Sequence, residues 1–479
     1  MSPPVSMSET VLPVEGRTIS AVPDDERYGG ARDLFTFWFG PNITLLAVVN
    51  GALATAVYGL PFWLAALGLL LGTLAGGAVL ALHSVQGSRL GLPQLVQSRA
   101  QFGSSGAIGV AACVAVISVG FLAVNLVLAG QSLNLLCSHI PVVGVIITMA
   151  VASALLAILG CEFMHSVAWL LSWIGGIVLL LAFIWVVGAG HLAAGFWQSG
   201  HATLVGFAGA VSVAALWQLS YTPYVADYSR YLPAGTPAGR TFMASFLGTS
   251  AGSGAAMLLG AIVGVQSSDV LGGFIGLAHG SSIMVVGTFT VCLGLAGAIN
   301  VYGGTMSLVT IGQALVPRWR PSATLRAVTR AALAVVIAAL AAAGGVLGRS
   351  GFLIGCTNIV LLVMYVIVPW TAINLVDYYL IRAGRYEVAD LVRGDGGRYG
   401  RISWPAIGCC LAGIAIEAPF VNTPAFTGPA ATALGGADIA WLVGLAVAGP
   451  LYYAVARYRS RSRSSAIATE PKITAAIAS

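Results

Sequence analysis

The chain contains about twelve long apolar stretches that have almost no charged residue inside them. Charged residues make up 8% of the chain and hydrophobic residues 58%, whereas about a quarter of the residues in a soluble domain are charged. A bilayer offers no water to backbone N–H and C=O groups, so stretches of about 20 apolar residues cross it as helices. The sequence therefore predicts an all-α polytopic membrane protein.

The 479 residues accommodate roughly twelve spanning helices in one integrated domain. The predicted transmembrane domain covers residues 33–458 and lies between a disordered tail at residues 1–32 and a disordered basic tail at residues 459–479. The predicted spans are residues 34–57, 61–83, 106–135, 142–161, 166–189, 203–224, 241–264, 282–314, 329–347, 351–379, 402–420 and 437–456.

The arginines indicate the orientation of the chain. If the N-terminus is cytoplasmic, every arginine except Arg349 lies at the cytoplasmic side, where membrane proteins concentrate Lys and Arg. One span more or fewer would scatter the arginines over both sides. The pattern predicts a multi-pass protein of the cell membrane with both termini in the cytoplasm. The net charge of +6 is explained in this way without a nucleic-acid partner.

Two predicted spans are interrupted by polar or helix-breaking residues. The first begins with FGPNIT at residues 39–44, and the sixth carries WQLSYTPYVADYSRYLP at residues 217–233. A broken helix is tolerated in a bilayer only where protein or a water-filled cavity satisfies the freed backbone groups. Breaks at corresponding positions of two five-helix blocks indicate an inverted-repeat transporter with its binding site near the midplane.

Polar side chains deep in the spans either bond neighbouring helices or contact a ligand. An amide presents a donor and an acceptor side by side, which matches the edge of a planar heterocycle, and an indole can stack on its ring. Interhelical hydrogen bonds or packing explain each residue taken singly about equally well. The candidates are Asn50, Ser118, Asn125, Gln131, Trp217, Gln218, Ser220, Thr222 and Asn300.

The sequence carries no signature of a metal site, a cofactor or a catalytic centre. Its seven cysteines form no C-x-x-C pair, and it has no P-loop, H-E-x-x-H or G-x-S-x-G motif. Its interior carboxylates are predicted near span ends, so no buried carboxylate relay is expected; they are Glu162, Asp227, Asp269, Glu417 and Asp438. These features favour a secondary transporter rather than an enzyme. A membrane-embedded enzyme or a sensor is a remote alternative.

Three segments carry a family resemblance. Residues 224–233 (YVADYSRYLP), 91–103 (GLPQLVQSRAQFG) and 373–386 (INLVDYYLIRAGRY) resemble the nucleobase:cation symporter-1 family, particularly its purine-cytosine permease branch. The resemblance extends from Asp33 to about Tyr458. It implies a five-plus-five inverted repeat with two additional C-terminal helices and cation-coupled uptake by alternating access.

The resemblance also implies which residues bind the substrate. Site positions on helices 1, 3, 6 and 8 of the family correspond here to Asn42 or its neighbours, Phe121 with Asn125, Trp217 with Gln218, and Asn300. The chain departs from some relatives, which carry glutamine at the position of Ser118, tryptophan at Phe121 and asparagine at Ala296. These departures leave the identity of the substrate open.

The predicted eighth span, which carries Ala296 and Asn300, also indicates the coupling cation. Sodium-coupled relatives use hydroxyl residues at the positions that Gly294 and Leu295 occupy here, and this apolar pair has no side-chain oxygen to ligate sodium. The prediction is import of cytosine or purines by symport, with H⁺ favoured over Na⁺. The alternative keeps the transport mechanism and changes the planar cargo to a hydantoin, allantoin, pyridoxine or thiamine.

Overall fold

The computed structural model describes residues 18–188, 192–278, 281–318, 322–348 and 352–469. Helices dominate these residues, and the strands β1 (Asn422–Thr423) and β2 (Phe426–Thr427) form a small antiparallel hairpin. The helices are α1 (Ala31–Phe39), α2 (Leu45–Ala56), α3 (Phe62–Leu90), α4 (Gln94–Gln97), α5 (Arg99–Phe102), α6 (Ala107–Leu136), α7 (Val142–Leu159), α8 (Cys161–Phe183), α9 (Leu204–Leu219), α10 (Val225–Ser229), α11 (Ala238–Gln266), α12 (Val270–Ala278), α13 (Ser282–Leu315), α14 (Ala323–Leu347), α15 (Phe352–Leu375), α16 (Val388–Leu391), α17 (Trp404–Glu417), α18 (Pro429–Ala433) and α19 (Ala440–Thr469).

Nine helices in the described ranges are long and apolar enough to cross a membrane. The bent pair α1 and α2 makes a tenth span if it is counted as one. The shorter apolar helices α9 and α17 occupy the positions of the predicted sixth and eleventh spans. The all-helical, multi-spanning architecture is therefore confirmed, and the count of twelve spans stays a prediction.

Both predicted breaks are confirmed. The helices α1 and α2 bend by 63° around a short 3-10 turn, Gly40–Asn42, and Thr44 caps α2 by accepting a hydrogen bond from Ala47 N. The other break separates the end of α9 from the start of α10 and contains Pro223, which has no N–H to continue a helix. The two breaks free backbone groups inside the molecule, where a ligand can use them.

The helix contacts follow the predicted division into two halves. In an inverted repeat, each of the first five spans corresponds to the span five places later. The contact between α3 and α9, spans 2 and 6, then has its counterpart in the contact between α11 and α2, spans 7 and 1. The contacts α7 with α13 and α6 with α14 are counterparts in the same sense. The contacts α6 with α13 and α7 with α14 each join a helix to its own counterpart in the other half. Helices α17 and α19 pack on α15, outside this arrangement, as expected for two additional C-terminal helices.

Glycines allow the closest of these crossings. A Cβ at Gly51 of α2 would overlap the backbone of Met257 in α11, and a Cβ at Gly260 of α11 would overlap the Val48 carbonyl in α2. Without a hydrophobic force between helices in lipid, such close backbone approach supplies the packing energy. Span 7 therefore lies directly against the broken span 1.

The structure describes part of each predicted tail. Residues 1–17 and 470–479 lie outside the described residues. Val22 N donates to Gly91 O at 3.0 Å and Tyr28 N to Tyr231 O at 2.7 Å, so the segment at residues 18–30 packs against the helices. Helix α19 continues through Thr469. The division into a membrane domain and two disordered tails stays a prediction.

The three family-like segments meet on one side of the molecule. The side-chain oxygen Oδ1 of Asp227 accepts from Gln94 N at 2.8 Å, and Oδ2 of Asp377 accepts from Gln101 Nε2 at 3.1 Å. Asp227 and Asp377 are at most 1% exposed, and Glu417 is fully buried. The sequence places Asp227 and Glu417 near span ends and predicts no carboxylate relay; the structure buries these side chains and Asp377 because neighbouring segments cover those ends.

Candidate functional site

A small internal cavity lies where the two broken helices meet α6 and α13. Its wall takes residues from the start of α2, the middle of α6, the end of α9 with the break that follows, and the middle of α13. These elements are the first, third, sixth and eighth predicted spans. The lining residues are Thr44, Leu46, Phe121, Asn125, Trp217, Ser220, Tyr221, Tyr224, Ala296 and Asn300.

Trp217 is fixed in this wall by Asn42. The indole Nε1 of Trp217 donates to Asn42 Oδ1 at 2.8 Å, and Asn42 Nδ2 donates to Trp38 O at 2.7 Å. Asn42 is fully buried and does not line the cavity. Because an indole has only one donor, this bond sets the orientation of the ring whose surface reaches the cavity.

Two amide side chains offer hydrogen-bonding atoms to the cavity. Asn300 Nδ2 donates to Ala296 O at 3.0 Å on its own helix, which leaves Oδ1 without a partner among the described residues. The amide of Asn125 makes no hydrogen bond to the part of the chain that the structure describes. Asn125 is 5% exposed and Asn300 6%, so the cavity is the place where these polar atoms can find a partner.

The other predicted site residues differ in placement. Phe121 lines the cavity, one turn after Ser118, which is buried without contributing to the wall. Gln218 turns away from the cavity: its Nε2 donates to Ser253 Oγ at 2.8 Å, and its Oε1 accepts from Thr249 Oγ1 at 2.5 Å. The structure thus brings Phe121, Asn125, Trp217 and Asn300 together in one wall, with Asn42 behind it and Gln218 directed away from it toward α11.

The sequence did not single out several lining residues. Tyr221 and Tyr224 belong to the interrupted segment at residues 217–233, and Thr44 belongs to the first break. The sequence feature that could have identified them is the break itself, since residues at an interrupted helix face the cavity that satisfies its backbone. Leu46 is an ordinary apolar residue with no such signal.

The cavity is closed in this conformation. Its volume of about 20 Å³ is room for one water molecule, whereas small-molecule sites occupy roughly 300–1,000 Å³. A larger pocket of about 460 Å³ lies toward the predicted cytoplasmic side. Among the residues that line it are Tyr28, Asp33, Glu162, His165, Tyr228 and Tyr231.

Aromatic rings separate the two spaces. Trp38 lies between Tyr221 of the small cavity and Tyr228 of the large pocket, with ring centroids 5.4 Å and 5.7 Å away. Phe37 stacks on His165 at 4.4 Å and contacts Tyr228 at 4.3 Å. We call Phe37, Trp38, Tyr221 and Tyr228 the aromatic layer. Movement of these rings would join the cavity to the pocket.

The chemistry of the cavity suits a neutral planar ligand. No Asp, Glu, Lys or Arg lines it, and within the described ranges no group of three His, Cys, Asp or Glu side chains is placed to hold a metal ion. The wall instead combines three kinds of aromatic side chain with two amides and the hydroxyl groups of a threonine and a serine. Such a set can stack on a ring and pair with its polar edge.

The backbone at the expected sodium position is already engaged. Ser153 Oγ donates to Gly294 O at 3.0 Å, and Leu295 is buried at 1% exposure. This pair presents no side-chain oxygen, and both residues lie within α13, where backbone carbonyls accept the hydrogen bonds of the helix. A sodium ion requires several oxygen ligands, as hard cations do in general.

Comparison with known proteins gives a family match along most of the chain. Residues 21–444 match the sequence model of a family described as permeases for cytosine/purines, uracil, thiamine and allantoin. YxlA of Bacillus subtilis, provisionally named a purine-cytosine permease, is 37% identical over 95% of this chain and 98% of its own length. A purine-cytosine permease of Emericella nidulans is 24% identical over 92% of this chain and 88% of its own length.

Solved transporter structures share the fold. Mhp1, described as a nucleobase-cation-symport-1 family transporter, in a closed conformation with bromovinylhydantoin bound, aligns with a TM-score of 0.69. The alignment has 17% identity and covers 93% of this chain and 96% of Mhp1. A Na⁺-coupled sialic acid symporter in a substrate-bound outward-open state aligns with a TM-score of 0.64 and 12% identity over 91% of each chain. At these identities the likeness concerns the fold, and it confirms the predicted transporter architecture.

Proposed function

Because the chain belongs to the family of permeases for cytosine/purines, uracil, thiamine and allantoin, we propose that it imports cytosine or a purine base by proton symport. It is a transporter and not an enzyme. Named purine-cytosine permeases match along nearly its whole length, which supports a base as the cargo. Transport proceeds by alternating access, with the closed cavity opening in turn to each side of the membrane.

The observation that carries this proposal is the convergence of an indole and two incompletely bonded amides on one uncharged cavity. Trp217 stacks on the base, and Phe121 packs against it from α6. Asn125 and Asn300 pair with the donor and acceptor edge of the ring. Stacking and each of the two amide pairs contribute about 1–3 kcal/mol, so the three together supply about 3–9 kcal/mol, a range that includes micromolar binding at about −8 kcal/mol.

Asn42 and Gln218 have supporting roles in this proposal. Asn42 holds the indole of Trp217 in position, and Gln218 joins α9 to α11 through Ser253 and Thr249. The cavity must enlarge to admit a base. Rotation within the aromatic layer then lets the base leave through the larger pocket.

The proton is the favoured coupling ion, and the cytoplasm is the destination. Gly294 and Leu295 lack the side-chain oxygens that a sodium site uses, which supports proton coupling. With both termini in the cytoplasm of a cell-membrane protein, the larger pocket opens to the cytoplasm, because its residues lie at the predicted inner ends of spans 1, 5 and 6.

The test is uptake of radiolabelled cytosine and hypoxanthine into transporter-deficient cells that express this chain. We expect saturable uptake that a protonophore abolishes and that replacement of sodium leaves unchanged. Membrane expression is verified by surface labelling. Uptake that requires sodium would overturn proton coupling. No uptake of either base, despite expression, would overturn the proposed cargo.

The same cells decide on the alternative cargo. Unlabelled hydantoin, allantoin, pyridoxine and thiamine are added in competition with the labelled base. Ser118, Phe121 and Ala296 differ from some relatives, and the last two line the cavity, so they are the positions at which another ring would be selected. Direct uptake of one of these compounds in place of both bases would establish the alternative.

A further inference from the structure

Glu417 is a buried acid that the proposed transport mechanism does not use. It is the last residue of α17 and is fully buried, and neither of its carboxylate oxygens has a hydrogen-bond partner in the part of the chain that the structure describes. An ionised carboxylate in such surroundings is far more costly than the neutral acid, which keeps only a small desolvation cost. The geometry therefore favours a Glu417 that holds a proton.

The carboxyl group of Glu417 lies where three helices meet. A Cβ on Gly444 of α19 would overlap Oε2 of Glu417 and would stand 2.8 Å from Cγ1 of Val368 in α15. Only a residue without a side chain leaves room for the acid at this point of α19. A negative charge here would stand between apolar helix surfaces and would favour their separation.

A second acid and a tyrosine adjoin the group. Tyr365 of α15 donates its hydroxyl to Asp438 Oδ2, and Asp438 lies two residues before the start of α19. Burial raises the pKa of the Asp438 carboxyl, and its hydrogen bonds from Tyr365 and two backbone N–H groups oppose this rise. Cys410 is the other titratable group near Glu417, on its own helix. No cation stands beside the acids among the described residues, so no ion pair offsets the cost of ionising Glu417.

Helix α15 connects this site with the substrate cavity. Its Val360 packs against Gly120 of α6 so closely that a Cβ at Gly120 would overlap the valine side chain. The next residue, Phe121, lines the cavity. Glu417 and Val368 of α15 both adjoin Gly444, and Val368 is two helical turns from Val360, so a shift of α15 at one place displaces the other.

We propose that Glu417 is a proton-binding site that controls the contact of α15 with α17 and α19. In the orientation proposed above, on which this inference rests, the site lies at the outer end of the molecule near the partly exposed Asp438. A proton from outside binds the Glu417 carboxylate and lets the three helices close. Loss of that proton to the outside loosens α15 and the wall that carries Phe121.

The first experiment needs no substrate. Thermal unfolding of the purified protein in detergent is followed from pH 5 to pH 8 for wild type, Glu417→Gln and the matched control Glu387→Gln, whose carboxylate is exposed. If the folded chain holds one proton that the unfolded chain releases, each pH unit increases the unfolding equilibrium constant about tenfold. Glu417→Gln lacks this contribution. We expect the melting temperature to fall with pH more steeply in wild type and Glu387→Gln. Parallel profiles for all three proteins would overturn the proposal.

The second experiment connects the proton to transport. External pH is varied at fixed internal pH while base uptake is measured for the same proteins and for Glu417→Asp. We expect uptake to vary with external pH in every variant, because the external proton drives it, but to vary less steeply in Glu417→Gln than in wild type. The steeper dependence should return in Glu417→Asp, which retains a titratable group. Unchanged pH dependence in Glu417→Gln would overturn control of α15 by Glu417. Absence of uptake in wild type would instead refute the proposed function and leave the unfolding result standing.

Discussion

The hydrogen bond between Asn42 and Trp217 shows how a residue outside the cavity wall affects the site. Asn42 uses both ends of its amide, accepting from the indole at 2.8 Å and donating to Trp38 O at 2.7 Å. Loss of the amide leaves a buried indole N–H without a partner, at a cost of about 1–3 kcal/mol. The indole then turns to find another acceptor, and its stacking surface moves.

Replacement of Asn42 should therefore weaken binding through Trp217. We expect Asn42→Ala to raise the KM for base uptake by roughly five- to hundredfold, the equivalent of about 1–3 kcal/mol, and Trp217→Ala to abolish saturable uptake. The measurement is concentration-dependent uptake in a double-mutant cycle with Trp217→Phe, which has no N–H to orient. Equal effects of Asn42→Ala in both backgrounds would show that Asn42 acts independently of the indole.

Gln218 provides the contrasting case at the same scale. Its amide bonds Ser253 and Thr249 of α11, and it is fully buried. We expect Gln218→Ala to lower the melting temperature in detergent, since two buried hydroxyls lose a partner at about 1 kcal/mol or more each. The KM of the protein that reaches the membrane should stay within twofold of wild type. A large rise in KM with unchanged melting temperature would restore the substrate-binding role that the sequence predicts.

At the scale of elements, Asp377 joins the ends of three parts of the chain. Its carboxylate accepts from Gln101 Nε2 at 3.1 Å, Arg382 Nε at 2.9 Å and Tyr452 Oη at 2.8 Å. Gln101 lies in α5, Arg382 directly after α15 with its π-helical end, and Tyr452 in α19. These bonds satisfy a carboxylate that would otherwise be too costly to bury.

Asp377→Asn should destabilise the molecule more than the loss of one of the groups that donate a hydrogen bond to the Asp377 carboxylate. We expect a loss of about 3–5 kcal/mol in Asp377→Asn, as for other broken buried ion pairs, and about 1 kcal/mol in Tyr452→Phe. The two variants are ranked by heating them in detergent and measuring the loss of monodisperse protein at each temperature. Equal stability of Asp377→Asn and wild type would show that the partly exposed Arg382 is solvated well enough to do without its partner.

Helix bounds and helix breaks were predictable because lipid makes hydrophobicity and length decisive. The predicted span at residues 106–135 corresponds to α6, Ala107–Leu136, and Pro223 marks the second break. The short helices α4 and α5 were not predicted. Their polar residues look like a surface loop, and their burial depends on contacts with distant residues such as Asp227 and Asp377.

Which side chains of a broken helix face the cavity was predictable only in part. Trp217 and Gln218 are adjacent on α9, and neighbouring residues on a helix point about 100° apart. Here the cavity lies on the side of Trp217, and Gln218 points toward α11 instead, although both residue types suit a planar ligand. The four predicted residues that line the cavity sit on three helices. A sequence indicates how each helix is rotated about its axis only when its buried face and its lipid face differ in polarity.

At the scale of the whole molecule, the two spaces and the aromatic layer define the conformation. The small cavity is closed, whereas the larger pocket holds about 460 Å³ on the predicted cytoplasmic side. Alternating access requires that a reagent reach this pocket from the cytoplasm and fail to reach it from outside. Ser166 lines the pocket and is exposed, and Cys137 is an exposed native thiol near the predicted outer end of α6.

These two positions predict opposite labelling patterns. We expect a membrane-impermeant maleimide to label the variant Ser166→Cys with Cys137→Ser in inside-out vesicles and to leave it unlabelled in right-side-out vesicles. Native Cys137 in the wild-type protein should show the reverse pattern, because it lies across the membrane in the proposed topology. Mass spectrometry of the labelled peptides identifies which thiol has reacted.

The control for this experiment is Cys137→Ser alone, in which the remaining cysteines of the described residues are buried or partly buried. Labelling of the Ser166→Cys variant from both sides would mean that the aromatic layer does not seal the pathway. Labelling of both thiols from one side would contradict the orientation inferred from the arginines. If base added to inside-out vesicles slows the reaction at position 166, the pocket lies on the route that the base takes, because a bound base occupies the space or moves the aromatic layer that borders it.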